Sequence, residues 1–257
     1  MQEISSKIQK PDSTVNLVLE VTGLTKSYSK TMAVNNLNIQ IKKGEIFGLL
    51  GHNGAGKSTT IECILNTRKK DSGNINILGQ KIENSRKSIF EQVGVQMQET
   101  HYQDKIKVYE ICETTSALYF NCLDYTDLLK EFSLYEKKNN YVSELSGGQK
   151  QKLSVLLALL PDPKLLFLDE LTTGLDPKAR REIWKYLELQ KEKGKSILLT
   201  SHYMDEVQYL CDRICIMKNG SSQITGTPQE VIQKSGTQTL EEAYLFYTGE
   251  ENLYESI

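Results

Sequence analysis

The sequence predicts an α/β fold built around a mostly parallel sheet. Short apolar runs, at 45–50 and 165–168, have the near-continuous hydrophobicity of strands that are buried on both faces. Segments with helical spacing separate these runs, and strands that alternate with helices favour parallel pairing through crossover connections. With 257 residues, the chain is long enough for one large domain or two small ones.

Hydrophobic periodicity places the individual elements in order along the chain. Alternation of apolar and polar residues predicts half-buried strands, and apolar residues three or four apart predict helices. Residues 1–16 are polar and contain Pro11, so we expect a flexible N-terminal extension. After it we expect strands at 17–21, 37–41, 45–50, 74–78, 165–168 and 197–200, and helices at 58–65 and 149–160.

The composition changes between about residues 100 and 144, which are rich in Tyr, Glu, Thr and Asn. Apolar residues such as Ile111 and Leu118 recur there at helical spacing. We interpret about 100–160 as a helical insertion within a main domain at 17–235. The tail at 236–257 is polar and acidic with interleaved Tyr and Leu, and we expect a small helix in it.

Charge and hydropathy exclude several classes of partner. The formal net charge is −2, so no basic field favours nucleic acid or an anionic membrane surface. No apolar run approaches the length of a membrane span, and the N-terminus lacks the apolar centre of a secretory signal. These features predict a cytoplasmic chain with no nucleic-acid partner.

The five cysteines are odd in number and include no CxxC pair. Cys211 and Cys215 have a spacing that would share a helical face, but no histidine or second pair completes a metal site. Reduced cysteines within the fold are the favoured interpretation.

A glycine-rich loop lies between the strand at 45–50 and the helix at 58–65. Its sequence, Gly-His-Asn-Gly-Ala-Gly-Lys-Ser, matches the Walker A pattern in full and in the required context. Glycines let successive amides face phosphates, and a helix N-terminus adds partial positive charge. We expect Lys57 to reach the β- and γ-phosphates, Ser58 to hold Mg²⁺ and Thr59 to bond the α-phosphate; the alternative is a strand-to-helix turn without a ligand. The nucleotide-binding residues expected here are Gly51, Asn53, Gly54, Ala55, Gly56, Lys57, Ser58 and Thr59.

The apolar strand at 165–168 ends in Asp169 and Glu170, as a Walker B strand does. Asp169 would support hydrated Mg²⁺, and Glu170 would polarise the attacking water. An unpaired carboxylate beside phosphates is costly, so a metal and a water are natural partners. The alternative is an acidic pair at a solvated strand end.

A third motif, Leu-Ser-Gly-Gly-Gln, lies at 145–149. Ser146, Gly147, Gly148 and Gln149 precede a predicted helix, where they would form a second amide nest for an anion. The alternative is a capped helix start in a polar loop. One phosphate loop is already present, so the residues alone leave this second nest without a ligand.

The three motifs, in this order, resemble those of the ATPase subunit of ATP-binding cassette (ABC) proteins, over about residues 17–235. The resemblance implies a P-loop NTPase core, an N-terminal antiparallel β subdomain and an inserted α-helical subdomain. It implies that ATP and Mg²⁺ are the cofactors and that ATP is hydrolysed. It also implies that two subunits pack head to tail, so that the 145–149 signature of one closes over the γ-phosphate held by the other.

Further positions match the family's motifs one by one. Tyr28 resembles the aromatic residue that stacks on adenine, although it could be an exposed loop tyrosine. Gln98 resembles the Q-loop glutamine that touches Mg²⁺ or the water, with Gln96 as a near competitor. Asp176 lies in the segment that resembles the D-loop, which crosses to the opposite subunit. His202 resembles the switch histidine that bonds the γ-phosphate, although a histidine at a strand end is usually structural.

Two positions depart from the family pattern, since Leu171 and Met97 stand where proline is usual. Neither departure removes a functional group, so they concern only local backbone shape. The short helical insertion and the segments 201–207 and 211–217 are most similar to those of bacterial drug, peptide-antibiotic and polysaccharide exporters. In these exporters the ATPase and membrane subunits are separate chains.

The function implied by the resemblance is a peripheral ATPase subunit on the inner face of the cell membrane. It would act as a homodimer and drive an integral membrane subunit for export. One alternative is a soluble ABC-type ATPase that acts on ribosomes or DNA, but such proteins usually carry two cassettes or long coiled coils. Another is a regulatory module without hydrolysis, against which the intact Glu170 and His202 argue.

Overall fold

The computed structural model describes residues 16–29, 31–97 and 102–249. An antiparallel sheet of strand order β2-β1-β4-β5 forms the N-terminal part. A second sheet, of order β10-β9-β3-β8-β7-β6, is parallel except for β10. The strands are β1 Leu17–Tyr28, β2 Thr31–Lys42, β3 Ile46–Leu50, β4 Ser72–Ile77, β5 Gln80–Lys81, β6 Val93–Gln96, β7 Leu165–Asp169, β8 Ser196–Ser201, β9 Arg213–Lys218 and β10 Ser221–Gly226.

Helices cover both faces of the parallel sheet, as buried strands require. Helices α3, α4 and α5 share one hydrophobic cluster with β7, β8 and β9, whereas α1 and α2 join a second cluster with the antiparallel sheet. The helices are α1 Lys57–Ile64, α2 Ile82–Phe90, α3 Val108–Ser116, α4 Tyr125–Glu131, α5 Gly147–Leu159, α6 Pro177–Glu192, α7 Met204–Leu210, α8 Pro228–Ser235 and α9 Leu240–Thr248.

The predicted fold class is confirmed, because a parallel-dominated sheet is combined with an N-terminal antiparallel sheet and with helices in the 100–160 region. The first two strands are longer than predicted. Irregular pairing between β1 and β2 interrupts their alternation, with register shifts between Val21 and Leu24 and between Lys26 and Ser27. Such bulges hide a strand from a search for strict period-two alternation.

Helices α6 and α7 were not predicted from periodicity. Asp176 caps α6, and Pro177 occupies its first position, which is favourable for a helix start. The buried face of α6 includes Trp184 and Tyr186, and these large aromatic side chains contact the core shared with α4 and α7. Tertiary packing therefore stabilises a helix whose solvent face is strongly charged.

The small helix expected in the tail is α9. Its Leu240 and Ala243 are fully buried in the same cluster as α7 and β9. Cys211 ends α7 and Cys215 lies within β9, so the two thiols do not share a helical face. None of the helices in the described residues is long and apolar enough to cross a membrane.

Candidate functional site

The glycine-rich loop connects the end of β3 to the start of α1. Strand β3 is central in the parallel sheet, between β9 and β8, and all five of its residues are buried. Gly54 and Gly56 have φ values of 85° and 103°, in the left-handed region that favours glycine. A Cβ atom on Gly56 would lie 2.2 Å from the carbonyl oxygen of Ala33, so the loop backbone passes β2 at a distance that excludes side chains.

The turn between β9 and β10 packs against the same point. The amide of Gly220 donates a hydrogen bond of 3.0 Å to the carbonyl oxygen of Ala55, and its carbonyl accepts one of 2.8 Å from Asn35. A Cβ atom on Gly220 would lie 2.7 Å from the carbonyl oxygen of Ala33. This turn therefore joins the phosphate loop to the antiparallel sheet, a role that sequence reasoning missed.

Lys57 is buried at the start of α1, and its ammonium folds back over the loop. Its Nζ atom donates to the carbonyl oxygens of Gly51 at 2.7 Å and His52 at 3.3 Å. It lies 3.8 Å from Oε1 of Glu170. Burial lowers the pKa of Lys57, whereas the carboxylates of Glu170 and Asp169 oppose that shift. The loop thus presents one desolvated cation opposite two acidic side chains.

Thr200 holds the acidic strand end in place. Its hydroxyl donates to Oδ1 of Asp169 at 2.5 Å and accepts from the amide of Glu170 at 2.9 Å. Asp169 and Thr200 are directly paired across β7 and β8, and both side chains are buried. Glu170 has a φ of 49°, a conformation that non-glycine residues seldom adopt. The signal that sequence reasoning passed over was a threonine at the end of the apolar strand Ile-Leu-Leu-Thr-Ser.

A cleft of about 520 Å³ brings many of the predicted nucleotide-binding residues together. Tyr28 ends β1 at one side of this cleft, with its side chain 38% exposed. The charged groups of Lys26 and Arg68 each lie 5.3 Å from its ring centroid. Gly51 and Ala55 are buried within the adjoining loop. The residues that line the cleft are Tyr28, Ala33, Asn53, Gly54, Gly56, Lys57, Ser58, Thr59 and Glu170.

The signature residues 145–149 lie at the start of helix α5, outside the cleft. Ser146 is the N-cap residue: its hydroxyl accepts from the amide of Gln149 at 3.3 Å, and its own amide donates to the Gln149 side chain at 3.0 Å. Gly147 borders a second cavity of about 400 Å³, which also reaches Lys150 and Gly174. The two cavities share no lining residue, so within one chain the signature does not belong to the phosphate-loop cleft.

Asp176 and His202 also lie outside the cleft lining. Asp176 accepts hydrogen bonds of 3.0 Å from the amides of Lys178 and Ala179, and these bonds, with that from Ala179 foremost, lower the pKa of its carboxyl group. His202 follows β8 and is exposed, and its ring centroid lies 4.2 Å from that of Tyr203.

Gln98 lies outside the described residues. Its competitor, Gln96, is buried at the end of β6, where its side-chain amide donates to the carbonyl oxygen of Met97 at 2.7 Å. Oε1 of Gln96 is buried and accepts no hydrogen bond from the described residues.

Comparison with known proteins identifies the family. The profile of the ABC transporter family matches residues 34–173, more than half of the chain. The chain belongs to this family. It is an ATP-binding subunit of an ABC transporter, and it hydrolyses ATP.

Curated relatives support this conclusion. The Nod factor export ATP-binding protein I of Mesorhizobium japonicum is 37% identical over 245 residues, covering 93% of this chain and 72% of the relative. The protein of the same name from Bradyrhizobium diazoefficiens is 38% identical, with coverage of 85% and 73%.

Solved structures agree with the fold. The ATP-binding subunit of an ABC transporter superposes with a TM-score of 0.83 at 28% identity, covering 90% of this ABC ATPase subunit and 99% of that chain. The protein cbiO1 from Clostridium perfringens, part of the ABC transporter complex cbiONQ, gives 0.73 at 32% identity, with coverage of 90% and 98%.

Replacing Thr200 with Val should lower kcat for ATP hydrolysis about tenfold or more. Valine keeps the shape but loses the hydroxyl that bonds the buried Asp169 carboxylate and the Glu170 amide, and loss of the partner of a buried polar group costs about 1–3 kcal/mol. Thr200→Ser keeps the hydroxyl and should retain most of the native kcat. Steady-state hydrolysis at varied ATP concentration compares the proteins, and a native kcat for Thr200→Val would contradict the positioning role.

Replacing Gly220 with Ala should weaken ATP binding, because the new Cβ atom would collide with the Ala33 carbonyl and displace the phosphate loop. Gly236→Ala is a matched control: its φ of 73° is close to the 77° of Gly220, but a Cβ atom there meets nothing within 4 Å. Both variants carry the same backbone strain, and Gly220→Ala adds about 1–3 kcal/mol of overpacking. Urea unfolding and fluorescent-nucleotide titration measure the difference; equal behaviour of the two variants would refute the contact.

Proposed function

We propose that two copies of this subunit close head to tail around two Mg-ATP molecules and drive export through a separate integral membrane subunit. The observation that carries the proposal is the separation of the signature from the phosphate-loop cleft within one chain. The helix that starts at Lys57 and the helix that starts at Gly147 can then act on the same ATP only if they come from different chains.

The nucleotide occupies the cleft in this proposal. Tyr28 stacks on the base at one end, and the loop amides with Lys57 hold the phosphates at the other. Lys57 is already desolvated and faces Glu170. When a γ-phosphate arrives, the ammonium of Lys57 donates its hydrogen bonds to this charged, stronger acceptor in place of the loop carbonyls. Glu170 acts as general base on the attacking water, a role that suits a carboxylate beside the phosphates.

The residues present fit Mg²⁺, which prefers oxygen ligands and keeps several waters. The Ser58 hydroxyl borders the cleft at the start of α1, and the Asp169 carboxylate lies at the end of β7 with Thr200 orienting one oxygen. When bound, Mg²⁺ would neutralise charge on the β- and γ-phosphates. Gln98, the third predicted ligand, lies outside the described residues.

ATP acts as a switch for the dimer. Ser146, Gly148 and His202 bind the γ-phosphate in the closed state, and Asp176 contacts the opposite subunit. Hydrolysis and phosphate release remove these contacts, so the dimer opens. Changing such an equilibrium from almost fully open to almost fully closed takes about 5.5 kcal/mol of differential binding, which two enclosed nucleotides can supply.

A groove beside the helical region is the surface proposed for the membrane subunit. It has a volume of about 530 Å³ and lies between β6 and helices α3 and α5. Apolar side chains dominate it, and Leu118 and Phe120 nearby are 74% and 77% exposed. Exposed apolar surface of this kind favours a protein partner. The export direction rests on the names of the Nod factor export relatives, and the subunit would lie on the inner face of the cell membrane.

Replacing Glu170 with Gln should lower kcat about 100-fold or more while ATP still binds, because the amide keeps the size but cannot accept a proton. The variant should also accumulate as an ATP-bound dimer, which size-exclusion chromatography with saturating Mg-ATP detects. Native turnover by this variant would remove Glu170 from its role, and a strictly monomeric variant would count against the switch.

Mixing two inactive variants tests the shared site. In a mixed dimer of Lys57→Ala and Ser146→Arg chains, one composite site carries both lesions and the other carries neither. If the two sites work independently, the mixture should therefore hydrolyse ATP, although neither pure variant does. ATP-driven dimerisation is followed in parallel, so that coupling between sites does not hide the recovery. Normal hydrolysis by isolated Ser146→Arg monomers would overturn the shared-site mechanism.

A further inference from the structure

Tyr203 and Arg180 form a row of contacts with the proposed switch histidine, His202, and we call these three side chains the stack. The ring of Tyr203 lies 4.2 Å, centroid to centroid, from the ring of His202, with the two ring planes tilted by 37°. The guanidinium of Arg180 lies 3.8 Å from the Tyr203 ring centroid, within the range of a cation–π contact. The His202 ring makes no hydrogen bond or ion pair with any residue that the structure describes. The stack is thus the contact through which the protein orients this ring.

Arg180 lies on α6, the helix that follows the D-loop segment. It lies in the first turns of α6, and its amide donates to the carbonyl oxygen of Asp176, the cap of that helix, at 3.0 Å. Its side chain is only 16% exposed, and NH1 lies 3.6 Å from Oδ2 of Asp205 on α7. A partly buried guanidinium loses less cation–π attraction to water than an exposed one.

A buried hydrogen bond also connects helices α6 and α7. The indole of Trp184, one turn after Arg180, donates 2.8 Å to the carboxylate of Glu206. Glu206 is 3% exposed, and burial raises the pKa of its carboxyl group. The indole hydrogen bond connects α6 to the first turn of α7, which begins at Met204, two residues after His202. Displacement of α6 therefore moves the support of the switch histidine with it.

We propose that Arg180 and Tyr203 are positioning residues that orient His202 and connect it to the D-loop helix of the same chain. The inference rests on the proposed contact of His202 with the γ-phosphate. When Asp176 meets the opposite subunit, α6 and its Arg180 take their closed positions, and the stack then places His202 for the phosphate. In this way, contact of Asp176 with the opposite subunit would change the position of His202 in the same chain.

Substitutions that keep or remove the stack test the proposal. Tyr203→Leu and Arg180→Met should each lower kcat about tenfold, with KM for ATP within about twofold, because a small displacement of a phosphate-contacting group is costly in the transition state. Tyr203→Phe keeps the aromatic ring and Arg180→Lys keeps the positive charge, so both variants should retain most of the native kcat. Arg181→Met is the matched control, since Arg181 is exposed on the same helix and outside the stack, and it should have native kinetics.

A double-mutant cycle separates positioning from general damage. In the His202→Ala background, Tyr203→Leu and Arg180→Met should lower the single-turnover rate by less than about twofold further, because nothing remains to position. Full additivity of the losses would overturn the proposal, as would native kcat for both single variants. Arg180→Met keeps the test decisive if Tyr203→Leu fails to fold. Native turnover by His202→Ala alone would instead overturn the proposed role of His202.

Discussion

The rest of the site depends on a close contact between three backbone segments. Gly56 of the phosphate loop and Gly220 of the β9–β10 turn both approach the carbonyl of Ala33 on β2, at distances that leave no space for a side chain. The hydrogen bonds of Gly220 to Ala55 and Asn35 hold the segments together. Close-packed backbone deforms little, so the amides of this loop are held in position, and in the proposed function they are ready for phosphates before a ligand arrives. Strand β1, which ends at Tyr28, pairs with β2 and is connected to the loop through the same contact.

Charge balance is the second constraint. Lys57 is buried with its Nζ atom 3.8 Å from Oε1 of Glu170, and it donates hydrogen bonds to the carbonyl oxygens of Gly51 and His52. Across the cleft, Thr200 engages Asp169 and the backbone of Glu170. These contacts hold one cation close to two carboxylates. In the proposed function, a nucleotide with Mg²⁺ complements this set of charges.

Two helix caps have a double use in the proposed mechanism. Ser146 and Asp176 each satisfy amides of their own helix, α5 and α6. Both would also face the opposite chain when the dimer closes. Capping stabilises the two helix starts in the isolated subunit. The signature and the D-loop segment therefore keep their backbone conformation without a partner. The contacts of Arg180 with Tyr203 and of Tyr203 with His202 then connect α6 to the proposed switch histidine.

The sequence alone determined the fold class, the ATPase family and the three phosphate-related motifs, because each is encoded in residues that are neighbours in the chain. Buried strands and helix starts leave local patterns of hydrophobicity and glycine, and these were sufficient for β3, β7, β8 and α1. Tertiary structure alone decided that Gly220 supports the phosphate loop, that Thr200 orients the acidic pair and that Arg180 reaches Tyr203. These contacts join residues that are distant in sequence, and a pair of residues from separate elements produces no periodicity. Bulges between β1 and β2 and the packing of α6 were hidden for the same reason: their stability comes from partners that the local pattern does not name.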